Sequence, residues 1–148
     1  MEQTIKVKRL LSGAKMPTRA SDQAAGHDLY ACLTTDKIEI YPHQTVKIGT
    51  GLAIQLPKNC FGGVFARSGL ATKQGLRPAN CVGVIDSDYR GECIVPLYND
   101  SDMIQIITNG ERIAQLVVLP YLPVDFEETN QLEETDRGQN GFGSTGKN

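Results

Sequence analysis

The sequence predicts an all-β protein with one short helix. Eight segments are rich in the β-branched and aliphatic residues that favour strands, and several alternate apolar with polar side chains, as in Ile38-Glu39-Ile40. Turn-forming residues separate these segments at intervals of about ten residues, which is typical of sandwiches, jelly rolls and small barrels. The predicted strands are 4–11, 28–33, 37–41, 45–56, 61–66, 91–97, 103–108 and 112–119.

The connections between the strands carry their own signals. Residues 68–74 form the only segment with a helical pattern, and Gly75 is placed to act as its C-cap. Residues 86–90 separate two apolar strands, which predicts a hairpin with a polar tip. Asn109-Gly110 separates two further apolar segments and predicts a type I′ hairpin.

Length and charge limit the classes of protein to consider. The 148 residues suit one domain, with a β body over 1–126 and, beyond Phe126, a polar spacer and glycine-rich arm over 127–148. Fifteen Lys and Arg against seventeen Asp and Glu give a net charge of −2, which produces no overall field favouring nucleic acid. No apolar run is long enough to be a signal peptide or to span a bilayer, so we expect a soluble, cytoplasmic protein without a membrane partner.

The four cysteines do not indicate a metal site. None of them is spaced as CxxC, and the two histidines lie far from any cysteine cluster, so a structural zinc site is not expected. We interpret them as reduced, mostly buried thiols. They are Cys32, Cys60, Cys81 and Cys93.

Three segments in the body combine polar side chains with apolar strands. Asp28 follows Gly26 at the start of a strand, and is either a functional carboxylate or a turn aspartate. Arg67 and Ser68 begin the predicted helix, where a guanidinium, a hydroxyl and helix amides would bind an anion, unless Ser68 is an ordinary N-cap. Gln115 lies within an apolar strand and needs a buried hydrogen-bond partner or a ligand.

Two further segments suggest chemistry more directly. Residues 80–92 bring Asp86, Asp88 and Tyr89 to one turn, where a carboxylate can deprotonate water and an aromatic ring can pack on a sugar or base; a plain polar tip is the alternative. The last dozen residues hold four glycines with Arg137 and Phe142. That composition suits an arm that orders on a ring-bearing, phosphorylated ligand, although a disordered, solubilising tail is the alternative.

Five motifs in this order resemble those of the trimeric deoxyuridine triphosphatases (dUTPases), and together they span residues 25–146. They are AGHDLYA (25–31), ARSGLA (66–71), GVIDSDYRGE (83–92), ERIAQL (111–116) and RGQNGFGSTG (137–146). The resemblance implies a jelly-roll-like β-barrel and a homotrimer whose active sites lie at subunit interfaces, each closed by a flexible C-terminal arm. It also implies Mg²⁺-dependent hydrolysis of dUTP to dUMP and pyrophosphate, which limits uracil in DNA and supplies dUMP for dTMP synthesis.

The resemblance also implies a role for each matching position. Asp86 would be the general base, Tyr89 would exclude a 2′-hydroxyl, and Asp28 would act near Mg²⁺ through bound water. The uracil edge would be contacted by Asn80 and the backbone of Gly83, Val84 and Ile85. Phosphate contacts in the body would come from Arg67, Ser68, Gly69 and Gln115. In the arm, Arg137 would bind the γ-phosphate, Phe142 would stack on uracil, and Gly143, Ser144 and Thr145 would complete the phosphate site.

Three alternatives remain at this point. A dCTP deaminase shares the implied fold and a related arm, and release of ammonia from dCTP would identify it. A phage-type relative of the dUTPases would add a regulatory, protein-binding role. A structural jelly roll, such as a capsid-like protein, would leave Asp86, Tyr89, Arg137 and Phe142 without a purpose.

Overall fold

The computed structural model describes residues 4–141 as twelve β-strands and one helix. The first seven strands are β1 (Lys6–Arg9), β2 (Thr18–Arg19), β3 (His27–Tyr30), β4 (Lys37–Ile40), β5 (Thr45–Gly49), β6 (Leu52–Gln55) and β7 (Cys60–Phe65). The helix α1 (Ser68–Gln74) follows, and then β8 (Leu76–Pro78), β9 (Gly83–Ile85), β10 (Ile94–Asn99), β11 (Gln105–Thr108) and β12 (Arg112–Pro120).

The strands form four antiparallel sheets around one core. The largest sheet has the order β2-β3-β12-β7-β9, and the others are β5-β10-β8, β1-β6 and β11-β4. None of the four closes on itself within residues 4–141. Their inner faces share a single apolar cluster that includes Leu29, Ile40, Ile48, Leu97 and Ile107. This arrangement confirms the all-β, jelly-roll-like fold class.

One predicted strand is in fact two. Residues 45–56 separate into β5 and β6 because the chain bends at Thr50 and Gly51, and Gly51 adopts a left-handed φ of 68°. A side chain is disfavoured at such an angle, so glycine permits the bend. The bend lets β5 pair with β10 while β6 pairs with β1 in another sheet.

Both predicted hairpins are wrong, although the turns are present. β9 pairs with β7, and β10 pairs with β5 and β8, so the strands that flank 86–90 belong to different sheets. The strands that flank Asn109-Gly110 are also separated, since β11 pairs with β4 while β12 pairs with β3 and β7. The positive φ falls on Gly110 alone, at 78°, so this turn is not type I′. The turn residues therefore predicted where the chain changes direction, but they did not predict which strands pair with each other.

The helix prediction is confirmed at both ends. α1 runs from Ser68 to Gln74, and Gly75 forms its left-handed C-cap with a φ of 67°. The N-cap is Arg67, which makes no side-chain capping bond, so Ser68 is the first helical residue and not the cap. β2 and β8 were not predicted, and β10 begins at Ile94, three residues later than expected.

The chain beyond β12 leaves the body of the protein. Every residue from 121 to 140 is exposed, and this segment contains no strand or helix. No helix within residues 4–141 is long and apolar enough to cross a membrane.

Candidate functional site

Three neighbouring strands of the largest sheet bring the first group of candidate residues together. β12 lies between β3 and β7, and its Gln115 is directly opposite both Asp28 of β3 and Phe65 of β7. Arg67 follows β7 by two residues and so lies at the same end of the sheet. The pairing of β12 therefore explains why residues far apart in sequence meet here.

Asp28 is the centre of this group. Its side chain is 14% exposed, and its Oδ1 accepts a hydrogen bond from Arg67 Nε at 2.9 Å. Its Oδ2 accepts a second bond from Arg112 Nη1 at 3.3 Å. Arg67 also donates through Nη1 to the main-chain oxygen of Arg112 at 3.3 Å. Asp28 is therefore a strand residue paired with two guanidinium groups and not a turn aspartate.

Gln115 has the hydrogen-bond partner that its position requires. Its Nε2 donates to the main-chain oxygen of Ala66 at 2.9 Å, which fixes the residue before Arg67. Its side chain also lies against Gly26, where an added Cβ would overlap Gln115 Oε1. Gly26, Asp28, Ala66, Cys81 and Gln115 line a cavity of about 670 Å³. This cavity is large enough to hold a small ligand.

The second group lies on β9 and the turn that follows it. The Tyr89 N–H donates to Asp86 O at 3.1 Å, and Arg90 Nη1 donates to the main-chain oxygens of Ser87 at 2.8 Å and Tyr89 at 2.9 Å. These bonds close a tight turn whose Asp86 and Tyr89 side chains are exposed. The two residues share a second cavity, of about 210 Å³.

The turn is attached to the body through the residues that follow it. The Tyr89 hydroxyl donates to Glu92 O at 3.1 Å, and an added Cβ on Gly91 would overlap the Tyr89 ring. Glu92 Oε1 in turn accepts a bond from the Gly51 N–H at 2.8 Å. Next to it, burial raises the pKa of the Cys93 thiol to about 11, so this thiol is neutral at physiological pH. Glu92 thus connects Tyr89 to the bend at Gly51 through two hydrogen bonds.

The remaining predicted site residues lie at the surface. Ser68, Gly69 and Asn80 are exposed, and β9, with Gly83, Val84 and Ile85, is an edge strand of its sheet. Arg137 Nε donates to Asn140 O at 2.9 Å, a local contact within the arm. Phe142, Gly143, Ser144 and Thr145 lie outside the described residues.

The two groups flank β7 but line separate cavities. β9 pairs with β7 through Gly83 and Val64, while β12 pairs with the other side of β7. Asp86 does not line the cavity that contains Asp28 and Gln115. Within one chain, the structure thus brings Asp28, Arg67 and Gln115 together but does not join them to Asp86 and Tyr89.

The donor set around Asp28 limits how a metal can bind. Within residues 4–141, no group of three or more His, Cys, Asp or Glu side chains could hold a metal ion. Both Asp28 oxygens accept bonds from guanidinium groups, which suits contact with a hydrated cation better than direct ligation. Mg²⁺ retains several waters and binds phosphate oxygens, so this set fits a magnesium–phosphate ligand.

Sequence reasoning missed two residues of the site. Arg112 and Glu92 fall inside quoted motifs, but nothing in their residue type distinguished them from ordinary surface charges. The structure shows that Ile113 and Ala114 are both buried, which marks a break in the alternation of β12, but this burial could not be deduced from the sequence.

The comparisons with known proteins agree on one family. The dUTPase family model matches residues 12–146. The deoxyuridine 5'-triphosphate nucleotidohydrolase of Desulfitobacterium hafniense is 53% identical over 133 residues, which cover 89% of this chain and 87% of that protein.

Solved structures agree with this family. The Staphylococcus bacteriophage 80alpha dUTPase with dUpNHpp superposes with a TM-score of 0.83 at 26% identity, covering 98% of this chain and 99% of that one. A point mutant of the dUTPase from phage phi11 of S. aureus, described with a structural Mg(II) ion, gives 0.77 at 24% identity and covers 89% and 100% of the two chains; that likeness concerns the fold alone. With a family match over most of its length and a relative more than half identical to it, the chain belongs to the dUTPase family.

Proposed function

We propose that this chain hydrolyses dUTP to dUMP and pyrophosphate. In this reaction one water adds, the anhydride bond between the α- and β-phosphates breaks, and pyrophosphate leaves. The dUTPase family match, which spans the whole site from Asp28 to the arm, is the observation that carries the proposal. The fold then supplies two groups of residues suited to the two halves of the substrate: a carboxylate beside an aromatic ring, and guanidinium groups beside an amide.

Asp86 is proposed to be the general base. Its carboxylate is exposed on a turn that is closed by the Tyr89 N–H and by Arg90, so it can accept a proton from a water molecule in a fixed position. General-base catalysis by a positioned side chain contributes roughly 10²–10⁴-fold to a rate. Among residues 4–141, Asp86 has no hydrogen bond to a cationic side chain of the kind that engages Asp28, which leaves it suited to this role.

The same turn and β9 are proposed to select the nucleoside. The Tyr89 ring packs over Gly91 and is tied to Glu92 O, so it would present a fixed face to the deoxyribose and exclude a 2′-hydroxyl. The outer edge of β9 has no strand partner among the described residues. Unpaired backbone N–H and C=O groups on an edge strand are available to a ligand. The backbone of Gly83, Val84 and Ile85, with Asn80, would therefore bind the uracil edge.

The triphosphate is proposed to lie against Arg67, Ser68, Gly69 and Gln115. Phosphoryl transfer is stabilised by cations and N–H donors because the charge of the transition state lies on phosphate oxygens. Mg²⁺ would be held mainly by the phosphates and water, with Asp28 contacting a bound water, and it would neutralise phosphate charge. From the arm, Arg137 would bind the γ-phosphate, Phe142 would stack on uracil, and Gly143, Ser144 and Thr145 would add donors.

A complete site is proposed to need three copies of the chain. The cavity that contains Asp28 and the cavity that contains Asp86 have no lining residue in common, so each chain offers two partial sites. A homotrimer in which two chains join these surfaces and the arm of the third closes over them would complete three sites.

We also propose a division into a β body, 1–126, and a spacer with an arm, 127–148, consistent with the exposure of residues 121–140.

Pyrophosphate release tests the proposed function. The full chain is incubated with Mg²⁺ and, in separate reactions, dUTP, dCTP, dTTP or UTP. Release from dUTP alone is expected, since Tyr89 would refuse UTP and the β9 backbone would refuse the other bases. Ammonia release from dCTP would instead identify a deaminase. No product from any nucleotide, with circular dichroism showing folded protein, would contradict the proposal and favour a regulatory, protein-binding role.

A further inference from the structure

The strand β12 contains a bulge beside the cluster around Asp28. Gln115 is opposite Asp28 and Ala114 is opposite Leu29, but the next cross-strand pair is Arg112 with Tyr30. Ile113 is therefore an extra residue. It is 1% exposed and its neighbour Ala114 is fully buried, so two consecutive side chains of one strand enter the core. A regular strand alternates between faces, and a bulge interrupts that alternation.

The bulge decides which face Arg112 occupies. Asp28 and Tyr30 are two residues apart on β3 and so share a face. Arg112 is opposite Tyr30 and shares it too, and its Nη1 reaches Asp28 Oδ2 at 3.3 Å. In a regular register Ile113 would oppose Tyr30, and Arg112 would oppose Ala31, which is 2% exposed and belongs to the core. A one-residue shift moves a side chain to the opposite face.

We propose that Arg112 is a positioning residue for Arg67. Its guanidinium binds one oxygen of Asp28, which leaves the other oxygen to Arg67 Nε at 2.9 Å. Its main-chain oxygen accepts a second bond from Arg67, at Nη1. Arg67 is thereby held at two nitrogens of its guanidinium, with its plane fixed before any ligand binds. This inference rests on the proposed function, in which Arg67 contacts the phosphates.

Two other interpretations of Arg112 predict different outcomes when Arg112 is replaced. Its side chain is 52% exposed, and half-exposed ion pairs contribute little to stability, so the pair with Asp28 could be without consequence. Alternatively, the guanidinium could contact phosphate itself. If Arg112 positions Arg67, replacing Arg112 lowers activity because Asp28 loses a partner, and this loss disappears in a variant whose residue 28 cannot bind Arg112. If Arg112 contacts phosphate directly, replacing Arg112 still lowers activity when Asp28 has been replaced.

The first experiment compares Arg112→Gln and Arg112→Lys with the wild type. Arg9→Gln is the matched control, because Arg9 is also an exposed strand arginine but lies on β1. We expect Arg112→Gln to lower kcat/KM by about tenfold to a hundredfold, the range of a roughly 1 Å misplacement of a binding group. Lysine retains a cation beside Asp28 and should restore part of the loss. Arg9→Gln should match the wild type, and unchanged thermal midpoints would exclude a folding defect.

The ligand series distinguishes positioning from a structural role. Inhibition by deoxyuridine, which lacks phosphates, should be the same in the wild type and Arg112→Gln, while the Kd of dUpNHpp should rise about tenfold. Equal weakening of both ligands, or of neither, would overturn the proposal.

A double-mutant cycle with Asp28→Asn completes the test. If Arg112 acts through Asp28, Arg112→Gln has little further effect in the Asp28→Asn background; an undiminished effect would show direct phosphate contact and overturn the proposal. If the wild type hydrolyses no nucleotide, the proposed function fails, but the same cycle measured by calorimetric binding of inorganic tripolyphosphate still decides the role of Arg112.

Discussion

Replacing Gly26, which has no proposed contact with substrate, by alanine should disturb the cluster around Asp28 by displacing the Gln115 side chain. An alanine Cβ would overlap Gln115 Oε1 and would lie 3.2 Å from Gln115 Cδ. No left-handed φ is found at Gly26, so alanine causes no backbone strain there. The Gln115 side chain must therefore rotate away and release the bond from its Nε2 to Ala66 O, now 2.9 Å long.

The expected loss of activity follows from the loss of this one hydrogen bond. Leaving a partly buried carbonyl without its donor costs about 1–3 kcal/mol. Ala66 immediately precedes Arg67, so the loss also loosens the guanidinium proposed to bind phosphate. We expect kcat/KM for dUTP to fall by about tenfold, which corresponds to roughly 1.4 kcal/mol in the transition state.

The assay is pyrophosphate release from dUTP by four proteins. They are the wild type, Gly26→Ala, Gln115→Ala and the double variant. Because the overlap involves the Gln115 amide, Gly26→Ala should have little effect once Gln115 is alanine. Gly13→Ala is the control, since its Cβ would lie an ordinary 3.9 Å from Cys32 Sγ. An equal loss from Gly26→Ala in both backgrounds would refute the steric argument.

Three further predictions follow from the site and the core. Asp86→Asn should bind dUpNHpp like the wild type while kcat falls by about 10²–10⁴-fold, and normal turnover would contradict the general-base assignment. A chain ending before Arg137 should remain a folded trimer by size-exclusion chromatography but hydrolyse dUTP poorly; full activity would contradict the arm's role. Burial raises the pKa of Cys93 from 9.0 to about 11, against a hydrogen bond from Thr50 that lowers it. The unfolded thiol therefore ionises first, and between pH 9 and 11 urea titration should show the free energy of unfolding falling by up to about 3 kcal/mol, a slope absent in Cys93→Ala.

The helix α1 was predictable because the residues that determine its end are its own neighbours. The helix over 68–74 was correct because its C-terminal signal, Gly75, acts on its own neighbours. Gly51 shows the limit of that reasoning. A glycine inside an apolar, β-rich run is compatible with a continuous strand, and only the demand that β5 and β6 pair in different sheets makes it a bend.

The roles of the predicted site residues stay predictions, but the structure shows which of these residues lie together. Asp28, Arg67 and Gln115 meet because β12 pairs with both β3 and β7, which is information about distant segments. The turns at 86–90 and 109–110 were mistaken for hairpins for the same reason. Arg112 was overlooked because its position depends on the bulge at Ile113, and a bulge is visible only once the register of both strands is known.

The two Asn-Gly pairs of the chain should differ in chemical ageing. Deamidation begins when the main-chain nitrogen of the glycine attacks the asparagine side-chain carbonyl. At Asn109 this attack is hindered, because Oδ1 accepts a bond from the Leu33 N–H at 2.9 Å and the Gly110 N–H donates to Ala31 O at 2.8 Å. Asn140 is exposed and precedes Gly141 in the arm. A stored preparation would therefore gain its first new negative charge beside Arg137, so activity would decline long before the β body changed.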